Sequence, residues 1–366
     1  MVFLINASNL KQGGGIQVAQ SVCEQLQQFK SFHFIVVLSG SIIIPNDELG
    51  ENVEVVRFNM PTTLSSLLFG RCNYLDNVVK DKKVDAVLTI FGPSRWRPRV
   101  PHLCGFARAQ LVLTDSPYYQ RLSLKERIVY RIWTWLFKQS SNVFYTENEY
   151  ISKLLPDLLG GNIKTFTVTN YYNQVFDNPG RWRRTVLLPS FSGVTCLSVS
   201  SHYPHKNFEI LIETTRYLRN KYPKFKFRFV LTFDSQEMPV PEDVQNFILF
   251  VGKVDISECP YLYEQSDIMF MPTLMECFTA TYPEAMRMEV PIVTTDLDFA
   301  HSLCGSAACY FSAVDASAAA EAIYKVATNK AYASFLVNNG KEQLKKFGNY
   351  EQRAEKLIGI LEEISK

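Results

Sequence analysis

Short runs of β-branched and aromatic residues alternate with longer polar stretches along the whole chain, the pattern left by β-α-β units that build a parallel sheet. In the first half the runs fall at Val2 to Asn6, His33 to Leu38, Val53 to Phe58, Val84 to Ile90, Leu103 to Ala107, Asn142 to Thr146 and Thr165 to Thr169. In the second they fall at Val194 to Ser200, Lys226 to Phe233, Ile248 to Gly252, Asp267 to Pro272, Pro291 to Thr295 and Ala308 to Phe311. The polar, Asn/Pro/Gly-bearing stretch Asn170 to Arg184 separates the two series and predicts two α/β domains in tandem, 1–175 and 176–347. After Phe311 the period turns helical over 316–328 and 331–346, and Gly348-Asn349 interrupts it before an amphipathic segment at 350–365.

Composition agrees with two cores: 366 residues at 47% hydrophobic exceed what one core usually holds. The longest apolar run is about five residues, Phe34 to Leu38, against the ~18 or more of a membrane span. Met1 leads straight into VFLIN without a basic leader, so neither an integral membrane protein nor a secreted precursor is expected. The eight cysteines are dispersed, with no CxxC pair and no histidine at zinc spacing, which points to a reducing cytoplasm and to no metal site. A net charge of +2 argues against nucleic acid as a partner. The charge is uneven, however: residues 1–170 carry 18 Lys+Arg against 13 Asp+Glu (+5), and the remainder 20 against 23 (−3).

In open parallel sheets ligands bind at the carboxyl ends of the strands, so the chemistry is sought in strand-to-helix loops, and two facing domains would place it in the cleft between them. After the first strand, Gly13, Gly14 and Gly15 lead into a helical pattern beginning at Ile16. Glycines there admit close approach of a ligand and leave amides for an anion; a plain flexible turn is the equal alternative. The loop is not GxGxxG, and no acidic residue is placed for a dinucleotide ribose, which weighs against a dehydrogenase. Lys206, between the strand ending at Ser200 and the helical period that follows, can meet a phosphate; on position alone a solvated lysine fits as well. In the stretch Asp267 to Thr295, Glu276 follows a buried strand and Glu284 sits behind Pro283 in the next helix's first turn. Two carboxylates eight residues apart, with the amides of Cys277, Phe278 and Thr279 between them, suit a ligand bearing hydroxyls and a phosphate. A capping carboxylate beside a solvated one is the alternative.

These residues carry a resemblance. Glu276, seven intervening residues and Glu284-Ala285-Met286, preceded by SDIMFMPT and followed by PIVTT, resemble the E-x7-E segment of the retaining family 4 glycosyltransferases, which have the two-domain GT-B fold. FVGKV at 250–254, PHKN at 204–207, the Gly13 to Gly15 loop and VTNYYN at the domain junction fall in the family's order. The resemblance is strong over 194–330 and loose in the first domain. It implies two facing Rossmann-like domains, acceptor-side and nucleotide-sugar-binding, with the segment 348–366 crossing back onto the first. It further implies that Glu284 binds ribose hydroxyls, Glu276 the transferred sugar, the backbone of Cys277 to Thr279 the sugar and diphosphate, Lys206 the phosphates, and Gly252, Lys253 and Val254 the base. Lys206 and Glu276 are then the catalytic pair. Many members have an arginine five residues before this lysine; here Ser201 stands there, so either His202, His205 or another basic group substitutes, or Lys206 and backbone donors hold the diphosphate.

The implied activity is transfer of a sugar from a nucleotide-diphosphate sugar to a hydroxyl of a sugar or lipid-linked glycan acceptor, with retention and no obligatory metal or other cofactor, in bacterial-type surface glycan synthesis. Ser201 motivates an alternative, a non-catalytic nucleotide-sugar-binding protein of the same fold. His102, at the start of a strand, reads as a structural histidine, and Glu147 and Asn148 as rim residues without a catalytic role. Arg121 to Lys138 interleaves five basic residues with Ile128, Ile132, Trp133, Trp135, Leu136 and Phe137. Such a helix either covers a sheet or lies in a lipid interface. With RWRPR at 95–99 it gives the expectation of a weak contact with an anionic membrane surface, hence a cytoplasmic protein peripheral to the inner face.

Overall fold

The computed structural model describes residues 1–11, 13–44, 49–61 and 63–366. The chain forms two compact units: residues 1–114, 122–170 and 348–366, and residues 115–121 with 171–347. Among the described residues the first unit holds seven strands, β1 (Val2–Ala7), β2 (His33–Leu38), β3 (Val53–Arg57), β4 (Ala86–Thr89), β5 (His102–Gly105), β6 (Val143–Thr146) and β7 (Lys164–Thr167). The second holds six, β8 (Val194–Ser198), β9 (Phe227–Leu231), β10 (Ile248–Phe250), β11 (Ile268–Met271), β12 (Ile292–Thr295) and β13 (Ala308–Phe311). Each predicted strand is present, with ends shifted by at most two residues.

All pairings are parallel, in the orders β3-β2-β1-β4-β5-β6-β7 and β10-β9-β8-β11-β12-β13. Strand order reverses beside β1 and β4 in one sheet and beside β8 and β11 in the other. These reversals open crevices at the carboxyl ends, and the loops after those four strands border them. Each unit is therefore a Rossmann-like domain.

In the first unit the period-2 alternation is legible in three dimensions. Phe3, Ile5, Phe34, Val36 and Leu38 face one core, and Leu4, Ile35 and Val37 face another. The last helix, Tyr350–Ser365, buries Leu357, Ile358, Ile360 and Leu361 in the first of these cores. Each such side chain stabilises the unit by about 1.5–3 kcal/mol. The same helix carries a buried arginine, Arg353, which donates to Asn170 and lies near the buried Glu147. Burial lifts the Glu147 carboxyl to about 7, and Arg353 and Asn170 pull it partly back.

The basic helix, Leu124–Ser140, has one buried face, as the sheet-covering reading expects, and one exposed face. A reciprocal cap joins Ser123 and Glu126 at its start: each main-chain N–H donates to the other's side chain, at 2.9 and 3.3 Å. Leu136 and Phe137 are buried, the latter between Phe106 and Phe144, while Arg108 lies 4.1 Å over the half-buried Trp133. Leu124, Ile128 and Ile132, four residues apart, are 80%, 57% and 53% exposed, and Trp135 continues the outward stripe. Among the described residues no helix is long and apolar enough to cross a membrane.

Candidate functional site

The second unit builds a polar cluster at the carboxyl ends of β8 and β11, beside its strand reversal. The chain leaves β8 and tightens into a 3-10 turn, Pro204–Lys206, closed by left-handed Asn207. The next helix starts only at Ile210. Lys206 thus precedes the helix instead of opening it, because the left-handed Asn207 interrupts the helical backbone between them. Nor is it a solvated lysine: it is 8% exposed, and its ammonium lies 2.5 Å from Oε1 of Glu276.

Glu276 is fixed from β11 outward. Thr273 Oγ1 donates to Glu276 Oε1 at 3.0 Å, while Thr295 at the end of β12 donates to the Thr273 carbonyl at 2.7 Å. The Leu274 amide donates to the His205 carbonyl at 2.8 Å, locking the two loops together, and the Thr273 hydroxyl oxygen lies 3.3 Å from the same carbonyl. His205 Nε2 stands 4.0 Å from Glu276, and burial keeps its imidazole below the ordinary value. One cation and one carboxylate, both largely withdrawn from water, therefore face each other across the crevice.

Glu284 lies on the short helix Thr281–Arg287, with Pro283 in its first turn. The Tyr263 hydroxyl donates to Glu284 Oε2 at 3.1 Å. Burial nevertheless raises this carboxyl to about 7, the hydrogen bond offsetting only part of the effect. Between the two glutamates Cys277 and Thr279 are buried and Phe278 is half-buried, and the Thr279 and Thr281 hydroxyls are 2.7 Å apart.

The other predicted site residues are placed differently. His202, offered as the substitute for a missing arginine, has its Nε2 3.0 Å from exposed Glu209 and its ring against Phe208 and Phe233. Ser201 is exposed. Gly252, at φ 73°, half-buried Val254 and exposed Lys253 follow β10, two strands removed from β8. Gly13, Gly14 and Gly15 belong to the first unit. Gly13 has φ 77°, and the helix begins at Gly14, two residues before the predicted Ile16, since only a glycine takes that left-handed entry without strain. Gln12 lies outside the described residues. His102 is structural, as expected: its nitrogens meet Thr89 Oγ1 at 2.8 Å and the Ser140 carbonyl at 2.9 Å, and burial lowers it to about 4.

Two contributors had no signal in the sequence. Tyr263 is an ordinary helix residue until the fold brings it to Glu284, whereas Thr273 closes the SDIMFMPT segment already singled out. The segment 115–121, from the first half of the chain, groups with the second unit: Ser116 Oγ donates to the Leu274 carbonyl at 2.7 Å, and the Tyr118 ring meets that of His205 edge-on at 6.0 Å. A contact spanning 158 positions leaves no local pattern.

Comparison with known proteins agrees with this geometry. Residues 193–329 match the family model described as Glycosyl transferases group 1. Over the full length the fold is similar to sucrose-phosphate synthase from Thermosynechococcus elongatus (TM-score 0.71, 15% identity, covering 99% of this chain and 98% of that one). It is also similar to a glycosyltransferase from Rickettsia africae ESF-5 (0.70, 16%, 100% and 98%) and to Anabaena HepE in complex with UDP and glucose (0.69, 13%, 99% and 99%). The O-antigen chain mannosyltransferase RfbU of Salmonella typhimurium strain LT2 is 24% identical over 121 residues, 32% of this chain and 34% of the relative. The match thus spans about a third of the length of that curated relative. Fold and site together define a two-domain α/β protein of the GT-B class. More particularly, residues 193–329 of its second unit match the Glycosyl transferases group 1 model, and the whole chain shares the fold of those glycosyltransferase structures.

Proposed function

We infer that the protein transfers a glycosyl unit from a nucleotide-diphosphate sugar to a hydroxyl acceptor with retention of anomeric configuration. The observation that supports this most is the buried Lys206–Glu276 pair at the carboxyl ends of β8 and β11, in the segment that matches the glycosyl transferase family. A donor diphosphate would draw the ammonium from Glu276, freeing that carboxylate for sugar hydroxyls; Glu284 would take the ribose hydroxyls. In the reaction the bond from C1 to the leaving phosphate oxygen breaks and one from the acceptor oxygen forms on the same face. The acceptor's proton passes to the departing phosphate oxygen. Charge grows on the nucleoside diphosphate as the bond breaks, and Lys206, once drawn to the diphosphate, stabilises it within a largely buried site, where electrostatic stabilisation is strongest. The second unit would hold the donor and the first the acceptor. The RfbU relative favours surface glycan synthesis as the setting, and the outward apolar and basic stripe on Leu124–Ser140 favours a weak contact with anionic membrane.

The test is incubation of the protein with nucleotide-sugars and a set of hydroxyl acceptors, followed by determination of product anomeric configuration; an inverted centre rejects the mechanism. Exposed Ser201 at the family's usual arginine position supports a second reading, a nucleotide-sugar binder without transfer. Donor binding without transfer or hydrolysis across a broad acceptor set would favour it.

A further inference from the structure

The first unit contains a cavity of about 300 Å³ that the proposed chemistry does not use. Arg71, Arg95 and Arg97 line it, together with Phe69 from the helix Leu64–Phe69 and Leu136 and Gln139 from the basic helix. A neighbouring cavity shares Arg97 and Ser140 and is bordered by His102 and Val143, the first residues of β5 and β6. The pair therefore lies at the amino-terminal edge of the sheet, opposite the carboxyl edge where ligands of such sheets usually bind.

The walls are built. Gly70 closes the short helix at φ 60°, its carbonyl accepts from the Arg97 amide at 2.8 Å, and a Cβ there would come within 2.9 Å of that of Arg97. Trp96 is buried between the two flanking arginines, its indole donating to Asp76 at 2.9 Å. Among the described residues no carboxylate pairs with Arg71 or Arg97, and none that lines the cavity is acidic. The rim, in contrast, is apolar: Phe69 is 68% exposed, Leu68 is also exposed, and the basic helix that supplies the opposite wall carries the outward stripe of Ile128, Ile132 and Trp135.

We propose that this cavity holds the phosphate headgroup of an anionic membrane lipid, the three arginines meeting the phosphate while Leu68, Phe69 and the helix stripe enter the acyl boundary. Guanidinium groups suit phosphate through paired N–H donors, and exposed apolar side chains beside them favour an anion that arrives on hydrocarbon over a free one. The inference rests on the membrane contact proposed above and not on sugar transfer.

Sedimentation of the full chain with phosphatidylcholine vesicles, with and without phosphatidylglycerol, tests it. The wild type binds the anionic vesicles. The double variant Arg71→Ala/Arg97→Ala loses about tenfold or more in binding, while Lys345→Ala/Lys346→Ala, which removes the same charge elsewhere, loses less than about twofold. Phe69→Ser, an exposed change compatible with folding, also weakens binding, and thermal unfolding verifies that each variant is folded. Wild type that ignores anionic vesicles overturns the membrane reading and this site with it. Wild type that binds, with the arginine pair behaving like the lysine control, overturns the cavity alone. Inorganic phosphate that displaces the vesicles at equal phosphate concentration points to a free-anion site and overturns the lipid assignment.

Discussion

Lys206 and Glu276 lie 2.5 Å apart at the ends of two adjacent strands, each largely buried, so in the absence of donor each neutralises the other. Thr273 adds a third group to the pair, so the glutamate keeps one hydrogen-bond donor if, as proposed, the lysine turns to a diphosphate.

Lys206→Ala should therefore fail in two separable ways. Turnover should fall on the order of 10²-fold or more, with donor KM less affected, if the ammonium acts, as proposed, on charge that develops in the transition state. Stability should fall by about 3–5 kcal/mol, since a buried carboxylate loses its cation. Adding Glu276→Gln should restore the melting temperature but not the turnover. Unchanged kcat in the single variant would contradict the role assigned to Lys206.

Glu284 should make nucleotide binding depend on pH. Its carboxyl is raised to about 7 in the folded protein by burial, above the ~4.3 of an unfolded chain, so the folded state holds the extra proton between those values. Its contribution to stability is full below the unfolded value and is lost as pH rises through about 7. Ribose hydroxyls donating to the carboxylate favour the ionised form, so binding below about pH 7 should release a proton and affinity should rise with pH. Calorimetry in buffers of different ionisation enthalpy measures the proton release; Glu284→Gln should abolish it and weaken nucleotide binding.

Arg353 should matter more than an ordinary helix residue. Its replacement by alanine leaves Glu147 buried without its compensating cation and should cost about 3 kcal/mol or more, with a larger loss at pH 8 than at pH 6, because only the ionised carboxyl needs the arginine. Glu147→Gln should suppress that difference between the two pH values. The melting temperatures of both variants at both pH values decide it.

The two faces of Leu124–Ser140 should separate in mutagenesis. Phe137→Ala, in the core, should destabilise the first unit by about 3–5 kcal/mol. Arg127→Glu/Arg131→Glu should release the protein from anionic vesicles with little change in melting temperature, each cation contributing about 1 kcal/mol of attraction that salt screens. Retention of the glutamate variant on vesicles at low salt would remove this helix from the membrane contact.

The local alphabet of this fold was open to reading because each of its signals repeats at short range. Short continuous apolar runs such as Phe34–Leu38 are buried on both sheet faces, and their length and β-branched residues distinguish strand from helix. The Gly348-Asn349 break was equally plain, and Asn349 does cap the last helix, through a reciprocal pair with Gln352. The E-x7-E spacing singled out Glu276 and Glu284 for the same reason: a strand end and the next helix's first turn are fixed within one loop.

Tertiary structure decided what depends on groups remote in sequence. Lys206 and Glu276, 70 positions apart, meet only because β8 and β11 are neighbours in the sheet, and that adjacency turns a lysine with no local partner into a buried ion pair. The same holds for Tyr263 on Glu284, for Ser116 on Leu274, and for the clustering of Arg71 with Arg95 and Arg97. Burial, and with it the raised carboxyls of Glu147 and Glu284, is a property of everything packed around a side chain. A one-dimensional pattern carries the residue's chemistry, whereas the dielectric surroundings and partners that set its charge exist only once the chain has folded.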